Sequence, residues 1–188
     1  MKFTRLEIPD VILCEPKLCK DERGYFTEIY RQDQLETFLG HPINFCQENE
    51  SKSSYGILRG LHYQLEPYAQ TKLVRVIHGS VLDVAVDLRR NSSTFGQHIS
   101  LELTAENKKQ LFIPKGFAHG FVVLSKTAFV TYKLDRFYKP KFERGIACDD
   151  PSLRIDWGLK FDEIKRSSKD ILLPLFKDAE YFELSNIT

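Results

Sequence analysis

The chain has 188 residues, enough for one domain with a sizeable core and too few for two large ones. Its 27 Lys and Arg against 26 Asp and Glu leave a net charge of +1, so no broad field gathers nucleic acid or an anionic membrane surface, and an anionic ligand must be gripped locally. No stretch approaches the ~20 apolar residues of a membrane span, and the opening MKFTRLEIPDVILCEPK lacks the unbroken apolar run of a signal peptide, which points to a cytoplasmic protein.

Taken in chain order, FTRLEI and VILCEP read as two short strands, and the ERG of DERGYF fits a hairpin turn. RQDQLETFL is a short helix candidate. From about residue 43 to 138, short runs rich in Val, Ile, Leu, Phe and Tyr are separated by Gly, Pro, Asn and Ser at intervals of ~10 residues, the pattern of an antiparallel sandwich or barrel. Within it KLVRVIHGSVLDVAVDLR is the clearest hairpin, with Gly79 and Ser80 as its two-residue turn. That pairing puts Lys72, Val74 and Val76 on one face with Asp83, Ala85 and Asp87, while the other face holds Leu73, Arg75, Ile77, Leu82, Val84, Val86 and Leu88. The mixed face is either a solvent face or the wall of a polar cavity inside a small barrel, and periodicity leaves both open.

HISLELT, QLFIP, GFVVLS and AFVTYKLDRFY supply further strands. SSKDILLPLF reads as a Ser-capped turn into a second short helix limited by Pro174, within a helical segment expected over about 167–184. The class is mostly β, with short peripheral helices. Cys14, Cys19, Cys46 and Cys148 form no CxxC pair and no zinc-site spacing, and are expected to be reduced packing residues.

The segment GILRGLHYQ carries Arg59 and His62 inside a strand pattern. Strict alternation sends side chains three apart to opposite faces, but a bulge at Gly60 would turn both toward one pocket. His119 stands between Gly116 and Gly120, Tyr132 shares a strand face with Val130, and Asp170 falls in the first turn of the terminal helix. Singly, each also fits an ordinary structural role: a hydrogen-bonded core histidine, a buried phenol tip, a helix-dipole contact. A metal site would need several convergent His and carboxylate ligands, yet Gln64 stands where a second histidine would be and Lys72 where a carboxylate would, so no metal is expected. A histidine base, a tyrosine acid and a lysine without cofactor suit proton abstraction next to a carbonyl.

Seven blocks occur in order: DERGYFTE, FCQENESKSSYGILRGLHYQ, QTKLVRVIHGSVLDVAVDLRRNSSTFG, QLFIPKGFAHGF, TYKLDRFYKP, DDPSLRIDW and SSKD. Together, over about residues 3–176, they resemble the dTDP-4-dehydrorhamnose 3,5-epimerase family. The resemblance implies a cupin-type jelly roll over the whole chain, a cofactor-free isomerase of dTDP-L-rhamnose biosynthesis serving cell-surface polysaccharide, and a homodimer whose N-terminal strands extend the partner's sheet. It implies that His62, oriented by Asp170, removes protons at C3 and C5 of a 4-keto sugar, that Tyr132 supplies a proton from the opposite face, and that Lys72 stabilises the enolate. Arg23, Glu28, Gln47, Asn49, Arg59, His119, Glu143 and Lys169 would hold the nucleotide sugar, with Tyr138 and Phe26 stacking on thymine. Cys148 and Gly158 stand where members of the family usually carry a tryptophan and a proline, which bears on packing and pocket shape. A single-position epimerase of another dTDP-4-keto-deoxysugar shares the base and the tyrosine. A non-catalytic nucleotide-sugar binding cupin shares the fold, but has no use for a paired base and acid.

Overall fold

The apolar runs become strands that bury both faces. In the computed structural model, which describes residues 1–183, a six-stranded sheet runs in the order β1 (Lys2–Arg5), β2 (Ile12–Glu15), β11 (Gln110–Ile113), β7 (Lys72–His78), β13 (Thr127–Leu134), β5 (Gln47–Ser54). A five-stranded sheet runs in the order β10 (His98–Thr104), β8 (Ser80–Asp87), β12 (Phe117–Val123), β6 (Leu58–Gln64), β14 (Glu143–Gly145). Two smaller pairs join β3 (Leu18–Asp21) to β4 (Gly24–Thr27), antiparallel, and β9 (Arg89–Arg90) to β15 (Phe182–Glu183), parallel. Among the described residues, α-helix is confined to α1 (Gln32–Leu39) and α2 (Ser168–Ile171). This is the expected mostly-β, cupin-type architecture.

Alternation along each strand sorts the side chains into layers. Val74 and Val76 of β7, Val81 and Ala85 of β8, Leu111 and Ile113 of β11, and Phe121 and Val123 of β12 fill the space between the sheets. On the outer face of the six-stranded sheet, Leu73 and Phe112 pack beneath Leu35 of α1. On the outer face of the five-stranded sheet, Leu58, Leu61, Val84 and Val122 are covered by Ile146, Leu153, Trp157 and Phe182 from the C-terminal third. Trp157 is anchored there by its Nε1–H, which donates to the Cys148 carbonyl at 2.8 Å.

The expected hairpin at Gly79–Ser80 does not form. β7 pairs with β11 and β13, whereas β8 pairs with β10 and β12, so the chain crosses from one sheet to the other at the turn. Gly79 makes the crossing at φ +74°, where an added Cβ would lie 2.1 Å from the Thr127 carbonyl oxygen. A turn signal reports that the chain reverses, not which strand it then meets. The mixed face is nonetheless internal: Lys72, Val74, Val76, Asp83, Ala85 and Asp87 are all buried, which rules out the solvent face, and of the six Lys72 lines a cavity while Val74, Val76 and Ala85 belong to the packed core.

Other boundaries differ for local reasons. AFVTYKLDRFY stops being strand at Leu134, and residues 135–139 are irregular. The helical segment expected over about 167–184 is only α2, followed by Pro174, a 3-10 turn at Phe176–Asp178 and β15, because Pro174 has no amide hydrogen to continue a helix; residue 184 lies outside the described residues. β5 carries polar residues on both faces of QENESKSS, so no apolar alternation marks it as a strand in the sequence. Cys14 and Cys148 are buried, as expected of packing residues, but Cys19 and Cys46 are exposed; all four are free thiols. Among the described residues no helix is long and apolar enough to cross a membrane.

Candidate active site

GILRGLHYQ supplies β6, and its pairing with β12 slips by one residue. His62 opposes His119 and Arg59 opposes Phe121, so three steps along β6 match two along β12, and the extra residue is accommodated at Gly60. Leu58, Leu61 and Tyr63 consequently join the outer core, while Arg59, His62 and Gln64 line a cavity of about 480 Å³ between the sheets. Gly60 sits at φ +127°, and a Cβ there would lie 2.5 Å from Gly120 Cα and 2.8 Å from the His119 carbonyl oxygen.

His62 is held from both sides. Its Nε2 lies 2.6 Å from Oδ1 of Asp170, which α2 delivers with Ser167 as N-cap: the Asp170 N–H donates to Ser167 Oγ at 3.1 Å. Burial pushes the Asp170 carboxyl upward, but the hydrogen bond and charge of His62 outweigh it and hold the group below its ordinary range. Lys72, at the start of β7, donates from Nζ to the His62 carbonyl at 3.3 Å. Its burial drives the ammonium down to about 8, against the attraction of Asp83 and Glu143. Tyr132 of β13 and Asn49 of β5 are cross-strand partners and line the same cavity.

At the floor His119 Nε2 meets Asp83 Oδ1 at 2.8 Å. Burial lowers the histidine's pKa, with Asp83 opposing it, and the neighbouring charges of Lys72 and His62 add to the lowering. Asp83 is fully buried, and its Oδ2 makes no hydrogen bond among the described residues. Sequence reasoning gave Asp83 no place in the site, although its position on the mixed face with Lys72 was the available signal.

At the rim Glu143 Oε2 accepts from the Tyr138 hydroxyl at 2.7 Å and pairs with Lys169 Nζ at 2.6 Å. Glu143 raises the Tyr138 phenol to about 12. Burial alone would raise the Glu143 carboxyl; the bonds from Lys169 and Tyr138 outweigh burial and lower it. Arg59 is steered by its Nε–H donating to Ser53 Oγ at 2.9 Å. Gln47 stands just outside the cavity wall, donating to Asn49 Oδ1 and accepting from the Tyr138 N–H, both at 2.9 Å.

Three expected binding residues are not brought to the cavity within one chain. Arg23 and Phe26 belong to the β3–β4 hairpin, where Arg23 forms the tight turn and ion-pairs with Asp21 at 2.5 Å, and Phe26 is 74 % exposed. Glu28 follows the hairpin and faces Arg31 at 4.0 Å. Among the described residues β3 and β4 pair only with each other, so no sheet carries them inward. Cys148 and Gly158 do not line the cavity either: Cys148 is in the outer core, and Gly158 turns at φ +69° with open space beside it. Among the described residues no three His, Cys, Asp or Glu side chains converge as metal ligands.

A histidine fixed by a carboxylate, a buried amine beside it and a tyrosine on the facing sheet together make a centre for moving protons at carbon next to a carbonyl. Comparison with known proteins agrees with that chemistry. The family model described as dTDP-4-dehydrorhamnose 3,5-epimerase matches residues 5–178. The dTDP-4-dehydrorhamnose 3,5-epimerase of Pseudomonas aeruginosa is 54 % identical over 182 residues, covering 97 % of this chain and 99 % of the relative. The crystal structure of the enzyme of that name from Elizabethkingia anophelis is 49 % identical with a TM-score of 0.93, covering 96 % of this chain and 99 % of that one. A dTDP-6-deoxy-D-glucose-3,5-epimerase from Legionella pneumophila, solved in complex with dTDP-4-keto-L-rhamnose, is 43 % identical with a TM-score of 0.92, and the match covers 97 % of each chain. With sequence, fold and extent in accord over nearly its whole length, the chain belongs to the dTDP-4-dehydrorhamnose 3,5-epimerase family.

Proposed function

We propose that the protein epimerises C3 and C5 of dTDP-4-dehydro-6-deoxy-D-glucose, giving dTDP-4-dehydro-L-rhamnose. The observation that carries the reading is the His62–Asp170 pair opening on a cavity that Lys72 and Tyr132 also line. With Nε2 engaged by Asp170, the other ring nitrogen of His62 takes the proton from the carbon next to the C4 ketone. The C–H electron pair moves into an enolate, whose oxygen is stabilised by the Lys72 ammonium. Tyr132 then gives its proton to the opposite face of that carbon, and the imidazolium and tyrosinate are reset by exchange with solvent. Repeating the cycle at the second carbon completes the double inversion. Every proton carrier is a side chain, so the scheme calls for no cofactor.

The diphosphate is held by charge-assisted donors, Arg59 and Lys169, with Gln47, Asn49, His119 and Glu143 binding nucleotide and sugar, and Tyr138 stacking on thymine. Arg23, Phe26 and Glu28 complete the site from a second copy of the chain. Support comes from the β3–β4 hairpin, which pairs with no other strand among the described residues and exposes Tyr25 and Phe26. The working unit is thus a homodimer of single-domain subunits in which the N-terminal strands extend the partner's sheet. Its four free thiols, two of them exposed, suit the reducing cytoplasm.

The test is incubation with the 4-keto-6-deoxy sugar nucleotide in heavy water, read by NMR. Deuterium at both C3 and C5 is the expected outcome. Label at one carbon selects a single-position epimerase, and no label overturns catalysis on this substrate.

A further inference from the structure

We infer that Gln64 is a positioning residue that sets the pose of Tyr138 and, through it, the enzyme's affinity for the nucleotide half of its substrate. The inference rests on the proposed stacking of Tyr138 on the base.

Residues 135–139 link β13 to the 3-10 turn at Pro140–Phe142 without regular structure, so their backbone groups need partners from elsewhere. Three glutamine side chains supply them. Gln70 Nε2 donates to the Arg136 carbonyl at 2.8 Å, and Gln47 Oε1 accepts from the Tyr138 N–H at 2.9 Å. Gln64 does the most: its Oε1 accepts from the Lys139 N–H at 2.6 Å, and its Nε2 donates to the Tyr68 carbonyl at 2.7 Å and to the Phe137 carbonyl at 3.4 Å. One amide therefore grips the peptide groups on both sides of Tyr138 and ties them to the loop after β6.

Gln64 is suited to this task by its surroundings. It is 3 % exposed, so its donors and acceptor are not spent on solvent, and losing either end takes a partner from the strap's backbone. It also pairs in register with Glu143, the residue that accepts from the Tyr138 hydroxyl. Both the backbone and the phenol tip of Tyr138 are thereby referenced to one point on β6, two residues beyond His62. Tyr138 is 47 % exposed and is held at its backbone and its hydroxyl, so its orientation depends on these polar ties. An amide has both the donor and the acceptor that the strap requires; an ionised carboxylate at the same place offers acceptors alone.

The experiment compares Gln64→Leu, Tyr138→Ala and the double variant of the full-length enzyme, measuring KM, kcat and the dissociation constant of dTDP by calorimetry. Gln64→Leu is expected to raise KM and the dTDP dissociation constant about tenfold, the scale of losing one aromatic–base stack, while kcat at saturation stays within about twofold. In the Tyr138→Ala background the same change adds less than about twofold. Equal loss in kcat and kcat/KM, or a full tenfold effect in both backgrounds, overturns the inference while leaving the stacking intact. If Tyr138→Ala leaves dTDP affinity unchanged, the stacking reading itself fails and the inference with it. Should Gln64→Leu not fold, Gln64→Glu keeps the acceptor for Lys139 and replaces the donor with an oxygen facing two carbonyls. Weakened dTDP binding by folded Gln64→Glu supports the inference, and unchanged binding overturns it.

Discussion

His62 and Asp170 are separated by 108 residues in sequence and by 2.6 Å in space, Nε2 to Oδ1. The carboxylate fixes the ring's orientation and stabilises the imidazolium formed when the base takes a proton. His62→Ala is therefore expected to abolish solvent deuterium exchange at both carbons, with a rate loss of roughly 10²–10⁴. Tyr132→Phe keeps the base and should retain some exchange while losing inverted product. NMR of the sugar protons separates the two outcomes, and wild-type behaviour of both variants contradicts the assigned roles.

Lys72 is buried, and burial pushes its ammonium down to about 8. Since only the charged form stabilises an enolate, kcat should fall as pH rises through about 8. Asp83 attracts that charge and holds the pKa up, so Asp83→Asn moves the falling limb to lower pH. A pH profile from 6 to 10 decides the matter: an unmoved limb in the variant means that Asp83 does not sustain the Lys72 charge.

Gly60→Ala tests the bulge. The added methyl meets two backbone groups of β12 closer than carbon atoms approach, at a φ that L residues avoid. A loss of roughly 2 kcal/mol or more and collapse of kcat are expected, measured by urea denaturation and turnover together. A variant of normal stability and activity would show that β6 reaches the cavity without the glycine.

Asp87 is fully buried and accepts hydrogen bonds from Arg89, Ser92 and Thr94. Burial pushes its carboxyl up, but these donors outweigh burial and depress it. A folded-state value below the unfolded one of ~3.9 adds stability above that pH, and the gain is lost as pH falls through the depressed value. Urea denaturation from pH 7 to 3 should show a shallower acid decline in Asp87→Asn. Stability at pH 7 should also drop by roughly 3 kcal/mol, because buried Arg89 loses its main partner. An unchanged acid slope assigns the decline to other carboxylates.

Little of the site was legible one strand at a time. Singly His62, His119, Tyr132 and Asp170 fit ordinary structural roles, and it is their joint occurrence with Lys72 in seven ordered blocks resembling one family that names them, while Gly60 announced the bulge because a glycine inside a strand asks for a reason. Gln64 was legible only as a departure from metal ligation; its grip on the Tyr138 strap depends on a loop that becomes its neighbour only on folding. β5 was missed because one of its faces lines a polar cavity and the other meets solvent, so neither shows apolar periodicity.

Composition and alternation by themselves determined the class of fold, which side chains of β7 and β8 share a face and the chemical vocabulary of the site, since side-chain period and residue type are local properties. Tertiary structure decided that β7 and β8 lie in opposite sheets, that Asp83 joins Lys72 and His119, and that Arg23, Phe26 and Glu28 stand apart from the cavity of their own chain. Strand partnership, and with it the meeting of residues far apart in sequence, is set by burial on both faces of two packed sheets, a condition that no single segment contains.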